Sequence, residues 1–442
     1  MNDNVFYPYQ KIEYPAAIKA DGIYIWDENG KRYVDASSGP VACIIGHGVK
    51  EVRDAMLAQM KEIEYAHRFR FTNKPLQELA RMVAETTPEG IDKTLFVSGG
   101  SEATEAALKI ARAYFWETGK PTKYKVISRR MSYHGNTMGA LSMSGHMNRR
   151  RKYSPLLLDV PHVAQANCYH CPFGKNPKHC DIECAKDFES AILNEGPENV
   201  AAVIVEPIGG AGLGAVVPHD KYMETLRGIC DKYDVLMIAD EVMTGMGRTG
   251  KTWGMDHWNI VPDMIATAKG LSGGYAPIGA VSVKNTIYEA FQKGEGNFTH
   301  GHTYGSHPVC MAAGIAVLNY VRKNNLIENS ARMGTYLITL LNNLADQYPE
   351  IGEVRGRGLM TGVEFVQDRT TRTPFDPKLG LTEKITGKAF EDGLMLYGSP
   401  KCIDGTKGDT IMITPPLTVT KDEIDLIVEM FEKVLKSVFK RI

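Results

Sequence analysis

A lysine closes a short apolar run: Met264–Thr267 leads directly into Ala268-Lys269-Gly270. Lysine is rarely buried without a partner. Partial desolvation lowers its pKa and frees an amine that can attack a carbonyl carbon to form a Schiff base. Asp240, 29 residues earlier, closes another apolar run, Val235–Ala239. A carboxylate there is costly to desolvate and needs a partner. Upstream, Ser98-Gly99-Gly100-Ser101 separates the run Thr94–Val97 from a helical segment. Free N–H groups and the helix dipole at such a turn attract phosphate, and glycine lets the oxygens come close. Tyr133-His134-Gly135 follows the run Tyr124–Ser128, and Glu206-Pro207 follows Ala201–Val205. Taken singly, each feature has an ordinary structural explanation: a loop glycine, a core aromatic, a strand-ending acid, an ion pair. In combination, an aldehyde-accepting Lys269, an Asp240 able to keep a pyridine nitrogen protonated and a phosphate turn fit pyridoxal 5'-phosphate (PLP).

These residues need elements that deliver them to one place. In open α/β sheets, ligands bind beyond the C-terminal ends of the strands, and each candidate above directly follows an apolar run. A further run is Ile278–Val283, and helical segments such as Leu76–Thr86, Glu102–Trp116 and Tyr222–Tyr233 lie between runs. This alternation predicts a mostly parallel sheet covered on both faces. Near the start, alternating apolar residues flank Asp27-Glu28-Asn29-Gly30, a hairpin signal. Later come an amphipathic helix at Asn329–Gln347, strands within Gly352–Val366 and at Thr410–Thr414, and a terminal helix at Lys421–Phe439. The reading is an N-terminal arm and hairpin over 1–65 that packs with the small domain, a large α/β domain over 66–322, and a small α+β domain over 323–442.

The 442 residues suffice for two or three folding units at about 100–200 residues each. Against 52 Asp and Glu stand 51 Lys and Arg, so the net charge is −1, without the positive field of a nucleic-acid binder. No stretch approaches the ~20 apolar residues of a membrane helix, and the N-terminus lacks a basic start and an apolar run. A cytoplasmic enzyme is expected. Glycine, at 43 of 442 residues, exceeds the usual ~7%, and Gly99, Gly100, Gly135, Gly209, Gly210, Gly270, Gly301 and Gly305 lie in or beside the motifs.

The carrying stretches extend to Ser98-Gly99-Gly100-Ser101-Glu102-Ala103, Ser132-Tyr133-His134-Gly135, Glu206-Pro207, Ala239-Asp240-Glu241-Val242 with Gly247-Arg248-Thr249-Gly250, Ala268-Lys269-Gly270, and His302-Thr303-Tyr304-Gly305-Ser306-His307-Pro308. In their order and spacing the chain resembles, from Gly22 to Leu417, the class III or ω-aminotransferases, a group of fold type I PLP-dependent enzymes. The resemblance implies a large domain on a mostly parallel seven-stranded sheet, with a smaller α+β domain. It implies that Lys269 holds the cofactor as a Schiff base and shuttles the proton between substrate α-carbon and cofactor. Asp240 would pair with the pyridinium nitrogen, Val242 and Tyr133 would sandwich the ring, and Gly100 and Ser101 would hold the phosphate. Glu206 is expected to support Asp240 and the ring hydroxyl through hydrogen bonds. His134 is expected to be a structural neighbour of the cofactor. Thr303 is expected to reach the phosphate of the neighbouring subunit, so that a homodimer shares its active sites.

Substrate choice rests on departures from relatives. The 4-aminobutyrate enzymes carry Arg after Tyr-His-Gly, where this chain has Asn136. They and the ornithine enzymes have Glu where this chain has Ala211. Pyruvate-using ω-aminotransferases resemble the chain better. Many of those place a mobile Arg just before Gly-Asp, where this chain has Lys407, a point charge without the two-pronged fork of guanidinium. Arg68 and Arg70 stand where relatives have pocket hydrophobics and are candidate readers of an acidic group; exposed or interface ion pairs are the alternative. Val41 is placed on the same substrate side. The expected reaction is ping-pong transfer from a terminal amine, ω-amino acid or aminosulfonate (taurine- or β-alanine-like) to a 2-oxo acid, pyruvate ahead of 2-oxoglutarate. A 2-oxoglutarate-using relative, or a racemase or decarboxylase on the same fold, is the alternative.

Four of the eight cysteines cluster: Cys168, Cys171, Cys180 and Cys184. Their spacing admits a tetrahedral zinc site, two disulfides or free thiols. No catalytic metal is assigned.

Overall fold

Val200–Val205 is buried at every residue, as a strand covered on both faces must be. Its side chains alternate between two layers. Ala202 and Ile204 pack with Ala103, Ala107 and Ile110 of the helix Gly100–Glu117. Val203 and Val205 pack with Phe188 and Leu226 of the helices Glu183–Glu195 and Tyr222–Tyr233. The computed structural model describes residues 4–440. The N-terminal strands are β1 (Ala17–Asp21), β2 (Tyr24–Asp27) and β3 (Arg32–Asp35). The central strands are β4 (Ile91–Val97), β5 (Lys125–Arg129), β6 (His162–Val163), β7 (Val200–Val205), β8 (Leu236–Asp240), β9 (Met264–Thr267) and β10 (Gly279–Lys284). The C-terminal strands are β11 (Ile351–Arg357), β12 (Met360–Phe365), β13 (Leu394–Met395), β14 (Tyr397–Pro400) and β15 (Asp409–Ile413).

The central sheet has seven strands in the order β4-β10-β9-β8-β7-β5-β6. Strands β5 to β9 pair in parallel, and β10 is antiparallel to both β4 and β9. The parallel strands therefore present their C-terminal ends on one edge, and the candidate residues stand there.

The other two sheets have four strands each, β1-β2-β3-β13 and β11-β12-β15-β14. In the first, β13 joins β3 in parallel at Leu394 and Val34. One core cluster runs from Ile23 and Val34 through Leu271 and Val317 to Phe365, Ile413 and Phe431. Helix ends follow local chemistry. The predicted helix at Leu76–Thr86 occupies Lys74–Ala84, because the Asn73 side chain caps the Leu76 N–H and Pro75 fixes the first turn. The terminal helix Lys421–Phe439 opens with a Thr420–Glu423 capping box. Strand β1 carries no apolar alternation: four of its five residues are exposed, so periodicity does not reveal it.

Candidate active site

The ends of β5, β7, β8 and β9 and the turn after β4 enclose a cavity of about 300 Å3. Ser98, Gly100, Ser101, Tyr133, His134, Glu206, Asp240, Val242 and Lys269 all line it. Lys269 lies two residues beyond β9 with φ +37°, a conformation that a residue with a Cβ adopts only under constraint. Gly270 permits this turn, since a Cβ there would stand 2.9 Å from Met246 Cβ. Lys269 keeps a face open to the cavity, yet burial lowers its ammonium to about 8, against the opposing pull of Asp240 and Glu206.

Asp240 ends β8 and is buried. Its Oδ2 lies 2.6 Å from His134 Nδ1, and its Oδ1 accepts the Val242 N–H at 3.1 Å. His134 is buried and held on three further sides. Its Nε2 lies 3.2 Å from Ser128 Oγ, its N–H donates to Ser144 Oγ, and its carbonyl accepts from Thr104. His134 thus orients the carboxylate, as metal-binding and catalytic histidine–carboxylate pairs do.

Glu206 lines the cavity as expected, but the hydrogen bond expected between it and Asp240 is not formed among the described residues. The Glu206 carboxylate accepts the backbone N–H of Tyr133 at 3.0 Å and of Gly210 at 2.8 Å. The strand-end geometry points it at the two loops, so it fixes Tyr133 instead. Burial raises its carboxyl above the ordinary value.

At the phosphate turn, Gly99 precedes the helix Gly100–Glu117 without a side-chain cap, so the first N–H groups remain open. Close approach makes two glycines obligatory. A Cβ on Gly100 would meet Val242 Cγ1 at 2.8 Å, and one on Gly135 would meet Ser101 Oγ at 2.5 Å. An open helix start, a buried carboxylate aimed into the cavity and a desolvated lysine fit the phosphate, ring nitrogen and aldehyde of PLP.

The substrate-side candidates separate. Val41 and Ala211 come together in one apolar cluster with Met243, against Tyr133. Arg68 does not line the cofactor cavity. It is half-buried, its guanidinium lies 5.3 Å from the centre of the Phe69 ring, and its Nη1 is buried without a hydrogen bond. Arg70 is exposed and does not line the cavity. Lys407 lines a different cavity, 3.8 Å from Asp404, whose Oδ1 also accepts the Lys407 backbone N–H. Thr303 is exposed, on a segment outside the cavity lining.

One cation went unread in the sequence. Arg149 lies exposed in the short helix Met147–Arg150, and its guanidinium stands 4.4 Å from the centre of the Tyr133 ring. No carboxylate pairs with it among the described residues. Its signal, the basic run Arg149-Arg150-Arg151-Lys152, resembles any solvated surface stretch. The four clustered cysteines are free thiols that line one small cavity. Among the described residues no group of three or more His, Cys, Asp or Glu is arranged to hold a metal ion.

Comparison with known proteins follows the same lines. Residues 8–435 match the family model for class III aminotransferases. An uncharacterized aminotransferase of Bacillus subtilis, YodT, is 38% identical over 443 residues, spanning 100% of this chain and 99% of its own. The putrescine–pyruvate aminotransferase of Pseudomonas aeruginosa is 36% identical and spans 94% of this chain and 89% of its own. The diaminobutyrate–2-oxoglutarate transaminase of Halomonas elongata is 35% identical with shares of 94% and 89%. The solved structure of an amine transaminase from an uncultivated Pseudomonas species, in its PLP-bound form, matches with a TM-score of 0.92 at 34% identity over 99% of each chain. A match that runs unbroken through the lysine turn, the aspartate strand and the phosphate turn places the chain in the class III aminotransferase family, as a PLP-dependent transaminase.

Proposed function

We propose that the enzyme takes its amino group from a terminal amine that also bears an acidic group, an ω-amino acid or aminosulfonate such as β-alanine or taurine. The acceptor is a 2-oxo acid, pyruvate ahead of 2-oxoglutarate. Arg149 carries this reading: an exposed, unpaired guanidinium over Tyr133, whose ring lines the cofactor cavity and packs against the apolar cluster of Val41, Ala211 and Met243. A guanidinium fork suits a carboxylate or sulfonate, and stacking on Tyr133 holds it in place.

Bound PLP supplies an electron sink for the C–H bond beside the substrate nitrogen. Lys269 Nζ would carry that proton from the substrate α-carbon to the cofactor's aldehyde carbon in one half-reaction and in the reverse direction in the other, and an amine near pH 8 suits both roles. Asp240, oriented by His134, holds the ring nitrogen protonated. Tyr133 and Val242 would face the ring, and Gly100 and Ser101 would hold the phosphate. Thr303 completes the phosphate site of a second subunit, which makes the working unit a homodimer. No described helix is long and apolar enough to cross a membrane.

A donor panel of taurine, β-alanine, 4-aminobutyrate and simple amines, run with pyruvate and with 2-oxoglutarate, tests this by half-reaction spectroscopy. Acidic donors should exceed simple amines in kcat/KM by about tenfold or more. Arg149→Gln should erase the preference while leaving simple amines untouched. Equal rates for both donor classes would overturn the donor assignment and leave transamination standing.

A further inference from the structure

A second cavity, of about 970 Å3, shares no lining residue with the cofactor cavity. Five cations line it, Arg130, Arg150, Lys175, Arg372 and Lys407, against a single carboxylate, Asp404. They come from separate parts of the chain: the end of β5, the short helix Met147–Arg150, the cysteine-bearing segment, and two turns in the C-terminal part. Like charges gathered from distant segments repel unless something offsets them.

The local partners offset little. Lys175 reaches Glu183 at 3.3 Å, and Lys407 reaches Asp404 at 3.8 Å. Arg372 donates to the Tyr169 carbonyl at 2.6 Å and stacks 4.8 Å from the centre of that ring, so its position is fixed without an acid. Arg130 and Arg150 have no carboxylate within ion-pair distance among the described residues. Arg150 Nε is buried without any hydrogen-bond partner. A desolvated guanidinium whose donor goes unused needs an acceptor.

We infer that this cavity is a second anion site, taking a small molecule with two or more negative charges, of the phosphate-ester or polycarboxylate class. Guanidinium forks and lysines lining one cavity suit such oxygens, which an arginine can meet bidentately. A bound anion would tie Arg130 and Arg150 to Arg372 and Lys407, and so lock the turn 401–408 against the segment that precedes Tyr133. The site stands apart from the donor assignment above, since Arg149 is absent from its lining.

The test titrates the PLP-loaded enzyme by calorimetry with inorganic pyrophosphate and, separately, with citrate. The cofactor absorbance is followed throughout to show that PLP stays bound. Saturable binding of at least one anion is expected, with a concentration-dependent rise in Tm. Pyrophosphate alone would assign the phosphate class, and citrate alone the polycarboxylate class. The double variant Arg130→Gln, Arg150→Gln should weaken binding by about tenfold or more. Should that variant fold poorly, Lys407→Gln, on an exposed turn, should weaken it severalfold by itself. Arg149→Gln should leave the affinity unchanged. The inference is overturned if neither anion saturates, if the cavity variants bind as tightly as the parent, or if binding is lost on Arg149→Gln.

Discussion

Lys269 pays for its chemistry in stability. Taking its ammonium from 10.5 to about 8 corresponds to roughly 3 kcal/mol of charging cost at neutral pH. Between those two values the unfolded lysine holds a proton that the folded one has released. Stability therefore rises with pH through that window, and the penalty is fully present below it. Lys269→Met is expected to raise the Tm of the cofactor-free protein at pH 7 by a few °C, a gain that fades as the pH nears 10.5. The same variant should lose steady-state turnover and the cofactor's yellow absorbance. Thermal scans at both pH values check the first expectation; a lowered Tm at pH 7 would show that the amine is not desolvated. Direction is what the residue scale withholds from a sequence. In the sequence Arg68, Arg70, Lys407 and Arg149 are four cations with no direction, yet of these only Arg149 stacks on a ring of the cofactor cavity.

At the scale of elements, the loop behind Tyr133 depends on a buried ion network. Arg355 on β11 donates to the carbonyls of Gly214 at 2.8 Å and Leu213 at 2.7 Å, and pairs with Glu353 at 2.7 Å and with Glu364 on β12. Glu364 also meets His170 Nε2 at 2.6 Å. Burial by itself would lift the Glu364 carboxyl, but Arg355 and His170 hold it below the ordinary carboxylate range. A depressed carboxyl contributes stability that is present above about pH 4.5 and lost as pH falls through its folded value. Arg355→Met leaves Glu364 buried with His170 as its remaining partner, and should cost about 3–5 kcal/mol. Adding Glu364→Leu should recover part of that loss. Urea melts of the single and double variants test the pair, and no recovery would mean that the carbonyl contacts dominate. None of this was legible in the sequence, because Arg355 and Glu364 meet only through the β11–β12 register. The layers were legible, because apolar periodicity is a local record of which side each residue faces.

Across the whole molecule, one core joins the N-terminal hairpin to the C-terminal helices, and β3 pairs with β13 from nearly the other end of the chain. Thr303 is exposed, while its neighbours His302 and Ser306 are held by Glu102 and Asn73. The homodimer reading expects a two-chain mass by sedimentation. It also expects Thr303→Ala to weaken PLP retention by about tenfold, as loss of one phosphate contact would. Subunits carrying Lys269→Ala mixed with subunits carrying Thr303→Ala should regain holoenzyme-like sites, because a mixed dimer holds one site free of both changes. A monomeric mass at every concentration would sink the shared site.

By itself the sequence determined the sheet, its covering helices and most of the residues that gather at one cavity. Strand periodicity, glycine turns and strand-end charges are local properties, and motif order carries their spacing. Tertiary structure alone decided that His134 supports Asp240 while Glu206 serves Tyr133. It also decided that Lys407 belongs to a separate cationic cavity and that Arg149 faces the ring. Those outcomes depend on where long side chains from turns come to rest, and a turn's direction is set by packing across the fold, which no local pattern encodes.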